Sequence, residues 1–147
     1  MLIKIQYILL SKRELEEYFN NNFMIKFMYF ANIIVAGWIS ISSLFFPKTA
    51  QITVFSNSFV YSEAIRLVGA LWGAIFILSV LGLFFPQKMN LIFLFQLIYK
   101  SSWLVFAALP ALLKNEPYPK GMASCFVVWV ILLPFVIDWR GIFGYSL

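Results

Sequence analysis

The chain has 147 residues, 63% of them hydrophobic and only 12% charged, with a formal net charge of +5 and a mean hydropathy of +0.89. An ordinary soluble domain is about 45–50% apolar and about 25% charged, and a folded chain of this size still leaves much of its surface in contact with solvent, so a water-soluble globule is excluded. Histidine is absent and Cys125 is the single cysteine, which excludes a disulfide, a zinc site or a Cys/His catalytic pair within one copy.

Residues 1–22 open with MLIKIQYILL, an apolar core too short to span, and continue with the charged, helix-favouring SKRELEEYFNNN. No small-residue cleavage site follows, so the segment does not read as a signal peptide. It is expected to be a cytoplasmic helix lying in the membrane interface, with Lys4, Lys12 and Arg13 near anionic lipid. The net positive charge then needs no nucleic acid partner.

Four apolar runs follow in a domain over 23–140, at about 24–46, 62–85, 89–113 and 121–139, with a short tail at 141–147. Crossing a hydrocarbon core of about 30 Å takes about 20 helical residues. The first two runs end in LFFP, at Pro47 and Pro86, and the third closes in the turn-forming LKNEPYPKG. The repeated LFFP is read as a shared interfacial stop. The runs do not alternate polar with apolar residues and are twice the length a barrel strand needs. The predicted fold is therefore all-α: an integral membrane, up-and-down four-helix bundle with an amino-terminal interfacial helix.

Short links make the second and third runs, and the third and fourth, antiparallel neighbours. The longer stretch KTAQITVFSNSFVY, Lys48–Tyr61, is expected to form a short strand or to lie on the bilayer surface. Lys4, Lys12, Arg13, Lys26, Lys88 and Arg140 fall on one side, against Lys48, Arg66, Lys114 and Lys120 on the other. This excess favours both termini in the cytoplasm, and the many Lys, Asn, Ile and Phe residues with short unbroken spans suit a bacterial inner membrane.

In the second run Glu63 and Arg66 are three residues apart and can pair along one face. Below them Gly69 and Gly73 form a GxxxG step, read first as helix packing within the chain and second as a dimer seam. Cys125, within MASCFVVWV, reads as a small apolar packing residue.

Lys100 stands at the midpoint of the otherwise uncharged run Leu91–Leu109. A lysine there costs about 2.5–3.5 kcal/mol on insertion scales, and its side chain of about 6 Å cannot reach water from some 15 Å deep. Gln96 and Trp103 share its face, which in an α-helix continues through Ala107 and Ala111. Candidate companions for the ammonium are Gln96, Asn32 on the first helix, the Val130 carbonyl left without its donor by Pro134, and, at the limit of reach, Asp138.

Tryptophan usually sits at membrane interfaces, and only Trp139 fits that pattern. Trp38, Trp72, Trp103 and Trp129, one per helix, each fall within about four residues of the centre of their span. They are expected to form an aromatic layer above Lys100, offering cation–π contact or a flat-walled slot for a lipophilic guest; the alternative is that they fill gaps or face lipid.

EAIRLVGALWGAIFILSVLGLFFP followed by LFQLIYKSSWLVFAALPALL resembles a family of small bacterial four-span membrane proteins with a QxxYKxxWL-type third helix, and more distantly DoxX-like four-helix proteins. The resemblance covers about residues 61–140 and implies no activity. It singles out Gln96, Tyr99, Lys100 and Trp103, and less directly Glu63 and Arg66.

Three functions are open to such a chain. The first is a binding or assembly module in which Lys100, Gln96, Tyr99, Trp103 and Asn32, under Trp38, Trp72 and Trp129, receive an anionic or lipophilic ligand or a partner's carboxylate. The second is an ion or solute pathway, channel or transporter, built from several copies, with rings of Lys100 favouring anions. The third is a membrane enzyme using Lys100 as base or Schiff-base former. Its weakness is Glu63, which lies too far toward the outer face. No phosphate-binding glycine loop, HExxH or GxSxG motif is present, and no cofactor or metal is expected.

Overall fold

The computed structural model describes residues 2–58 and 62–144, with side chains from Asn22 onward and at Lys12. The headgroup contacts expected of Lys4 and Arg13, and tail residues 145–147, lie outside the described residues. Every regular element among them is helical: α1 (Leu2–Phe45), α2 (Pro47–Thr53), α3 (Glu63–Phe84), α4 (Leu91–Trp103), a π-turn (Leu104–Ala108), α5 (Leu109–Leu113), α6 (Lys120–Val136) and α7 (Trp139–Phe143). Three helical stretches are long and apolar enough to cross a membrane: Asn22–Phe45, Glu63–Phe84 and Leu91–Leu113. Lys120–Val136 is equally apolar in character but shorter.

The breakers act where the sequence puts them. Phe46 leaves helical geometry and Pro47 takes the first position of α2, where its missing N–H costs nothing. Phe85 and Pro86 end α3. Two outcomes differ from expectation. The amino-terminal segment is continuous with the first apolar run as one helix of 44 residues, about 66 Å long at about 1.5 Å per residue; nothing in residues 2–45 breaks the backbone ladder. The stretch after Pro47 forms a helical turn, α2, and then reverses through Ser56 and Asn57 at φ 51° and 56°. It turns back because Ala50 and Phe55 bury themselves against Ile65 of α3, an apolar anchor that a surface strand would lack.

The helices pair unequally. α1 packs along the whole of α3, and α4 along α6, whereas α3 and α4, joined by a tight turn, touch at few points. The α1–α3 seam is close because small residues face one another. A Cβ on Gly69 would stand 2.8 Å from Ser43 Cβ, and one on Gly73 2.9 Å from Ser40 Oγ. The glycine step is thus occupied by α1 of the same chain, and little of it is left for a second copy.

At the other end of this seam, Tyr29 of α1 ties three helices together. Its ring lies against Gly82 of α3, stacks on Phe93 of α4 with centroids 4.5 Å apart, and is fully buried. Its hydroxyl donates to the Pro86 carbonyl at 2.9 Å, capping a group that the end of α3 would leave unpaired. Tyr29→Phe should keep the packing and lower stability by about 1 kcal/mol. Thermal unfolding in detergent, compared with the parent chain, measures the difference.

Candidate functional site

Lys100 lies on the face that α4 turns toward α6 and is only 1% exposed. Its ammonium donates to Gln96 Oε1, one helical turn earlier. Around the remaining directions stand four aromatic rings: Trp129 with its centroid 4.5 Å from Nζ, Tyr99 at 5.4 Å, and Trp72 and Phe126 each at 5.6 Å. Ring faces carry negative electrostatic potential, so they stabilise a desolvated cation by about 2 kcal/mol or more. The rings also hold one another. Trp72 stacks on Phe126 at 6.1 Å, and Tyr99 meets Trp72 and Phe126 edge-on at 6.3 and 5.8 Å.

The only ion pair among the described residues is Arg66 Nη1 to Glu63 Oε2, 3.4 Å, with both side chains largely exposed at the start of α3. Such a pair contributes little to stability, and it is remote from the buried site. Lys100 therefore has one hydrogen-bond acceptor and four π faces, but no carboxylate. Next to it the Gln96 Nε2 and Tyr99 hydroxyl are buried without hydrogen-bond partners, as is the Asn32 Nδ2 on α1. Polar groups left so in an apolar interior are costly.

The sequence placed Gln96, Tyr99, Trp72 and Trp129 around the ammonium, and the structure brings those four together. Trp103 reaches the shell at one remove, edge-on to Phe126 at 5.3 Å. Trp38 does not join it: it is 60% exposed on α1. Asn32 is buried but makes no hydrogen bond to Lys100, and the Val130 carbonyl is not a partner either.

Asp138 is turned away from the site. α6 ends at Val136, and beyond extended Ile137 the carboxylate accepts the Gly141 N–H at 2.9 Å, capping α7, while the Asp138 N–H donates to Asn90 Oδ1 at 2.9 Å. The face through Ala107 also shifts. The Leu109 N–H reaches back five residues to the Leu104 carbonyl, so Ala108 is buried where an α-helix would bury Ala107, and Ala107 is exposed. Pro110 explains the turn, because its ring would press on the carbonyl of residue 106 in an unbroken α-helix.

Phe126 is the member that sequence reasoning missed. Its signal was available: it lies three residues before Trp129, on the stripe Phe126, Trp129, Leu133 and Val136 that α6 buries. Beside the shell lies a slot of about 320 Å³ between α1 and α6, whose lining includes Val35 and the exposed Trp38. Trp72 and Phe126 line it, and so does Cys125. The two rings thus contact the ammonium and also wall the slot. The free thiol of Cys125 is half-buried there, which leaves the packing role expected of it in place. Among the described residues no group of His, Cys, Asp and Glu could hold a metal ion.

Comparison of the chain with protein-family models, with curated proteins and with solved structures returns no match.

Proposed function

We propose that the chain is a multi-pass membrane protein of four spans, with α6 as the fourth, that serves as a binding or assembly module centred on Lys100. α6 has 17 residues, the short end of what can cross a bilayer, and its partner through the hydrophobic layer is α4. Both termini then lie on the same side, the cytoplasmic face of an inner membrane by the distribution of Lys and Arg. A 44-residue unbroken α1 carries its first half out of the hydrocarbon core from the same face.

One observation carries this reading: a buried ammonium with a single amide acceptor and no carboxylate, two of whose surrounding rings, Trp72 and Phe126, also wall a slot. Intrinsic stability gives no reason to place a lysine there, since an apolar residue of equal size would avoid the desolvation cost. Rotation of either ring would let an anionic or carbonyl-bearing end of a lipophilic guest, or a carboxylate from a partner subunit, reach Nζ and the unpartnered Tyr99 hydroxyl. The channel reading, a pathway between several copies lined by Lys100, is weaker because Lys100 is enclosed by Trp72, Tyr99, Phe126 and Trp129 of its own chain and has almost no surface to offer such a pathway. The enzyme reading is weaker because Glu63 is 74% exposed at the outer end.

Two variants test the proposal by native mass spectrometry of the purified chain and its co-purifying species. Lys100→Met removes the charge and keeps the volume. Gly121→Phe fills the slot from a position where an added Cβ meets nothing within 4 Å. Both should lose the bound lipophilic or anionic species while retaining helical content. Unchanged recovery of every bound lipid and partner in both variants would sink it.

A further inference from the structure

On the opposite flank of the molecule, the sparse contact between α3 and α4 leaves an apolar groove of about 350 Å³. Its walls include Leu71, Ala74 and Leu78 from α3 and Leu91 and Phe95 from α4, and Lys88 in the turn between them lines it as well. A second hollow of about 360 Å³ adjoins it and shares Lys88 and Leu91. That hollow is polar in a particular way: it holds Lys88, Asn90 and Asp138, a cation and an anion on different segments that form no ion pair with each other.

We propose that this pair of hollows is a binding site for a phospholipid whose headgroup carries both a phosphate and a primary ammonium, a phosphatidylethanolamine. The acyl chain would lie between α3 and α4. The phosphate would take Lys88, and the ammonium would take the Asp138 carboxylate.

Charge complementarity selects this occupant. Asp138 uses Oδ1 for the Gly141 N–H and keeps Oδ2 over Gly141 for a cationic donor. A purely anionic headgroup would satisfy Lys88 but meet Asp138 with like charge. Asn90 adds a donor: its Oδ1 is taken by the Asp138 N–H, while its Nδ2 is buried without a partner at the same hollow. The depth is right as well. Lys88 follows the FFP stop of α3, and Trp139, whose Nε1–H donates to the Pro134 carbonyl at 2.8 Å, stands exposed nearby in sequence at the end of α6, as interfacial tryptophans do. From that level the groove runs inward over the two helical turns between Leu78 and Leu71, which suits a chain and not a soluble solute.

The full-length protein, delipidated in detergent and titrated with phosphatidylethanolamine or phosphatidylglycerol, provides the test by native mass spectrometry. The parent chain should retain phosphatidylethanolamine about tenfold better than phosphatidylglycerol, the equivalent of one charge-assisted contact. Asp138→Asn preserves an acceptor for Gly141 and should erase the preference; Lys88→Gln should weaken both lipids. Ala74→Trp, which fills the groove, should release both. Equal retention of the two lipids by the parent chain overturns the proposal whatever the variants do, and so does a preference that survives Asp138→Asn. Because the groove is separate from the Lys100 slot, Lys100→Met and Gly121→Phe should leave this lipid preference intact.

Discussion

Lys100→Glu should abolish accumulation of the protein in the membrane, whereas Lys100→Met should accumulate at least as well as the parent chain. The shell around this position is built for positive charge: four rings present electron-rich surfaces within 4.5–5.6 Å of Nζ, and the one hydrogen bond ends on a carbonyl oxygen of Gln96. A glutamate carboxylate would face those surfaces with like sign and lose the bond unless the amide flipped. It would also carry an insertion cost similar to that of the lysine, with no cation–π return. Methionine removes that insertion cost of about 2.5–3.5 kcal/mol and gives up about 2 kcal/mol of ring attraction, so the two changes nearly offset. Quantitative immunoblotting of membrane fractions, with size-exclusion profiles in detergent, reads the result. A glutamate variant that accumulates normally and elutes as a single species would show that the shell does not discriminate charge.

Gly69→Val should separate α1 from α3 and leave the chain poorly folded. An added Cβ at this position would come within 2.8 Å of Ser43 Cβ, 3.0 Å of the Leu44 backbone nitrogen and 3.1 Å of Leu44 Cγ. The obstacle includes main chain in the middle of a helix, which cannot swing aside as a flexible side chain can, and valine adds two methyl groups beyond the Cβ. Overpacking of this kind costs about 1–3 kcal/mol and more when backbone must move. Gly121→Val is the control: the site is open and helical, so the same substitution should be neutral or slightly stabilising. Thermal unfolding monitored by far-ultraviolet circular dichroism should show an early or broad transition for Gly69→Val alone. Coincident curves for the two variants would mean that the seam does not hold the pair together.

Hydropathy and proline placement located the apolar helices closely, because both are one-dimensional signals: length against bilayer thickness, and breakers at the ends. Depth along the chain also found the ammonium's principal neighbours. Lys100, Gln96 and Tyr99 are linked by helical spacing, and Trp72 and Trp129 arrive at the same level from other helices. What depth cannot supply is rotation about a helix axis and the identity of packing partners. Trp38 has the right level but faces outward, while Phe126, hidden among seventeen phenylalanines, faces inward. Asp138 was misplaced for another reason. Its reach was judged as if α6 continued, whereas the chain bends at Ile137 and gives the carboxylate a nearer donor in Gly141. Ala50 and Phe55 were illegible because their partner, Ile65, belongs to the next helix, and a mixed loop carries no periodic signal.

The widened turn at Leu104–Ala108 acts as a phase shifter. One extra residue per turn rotates everything beyond it by about 100° relative to what lies before, so the two halves of the same rod present themselves to α6 independently. The half below keeps its cation aimed at the rings; the half above buries Ala108, which lines a hollow of about 550 Å³ together with Ala123 and Ser124. Because the ring of Pro110 opposes any tightening of this loop of backbone into ordinary α geometry, the angular relation between the two halves is fixed by a single turn.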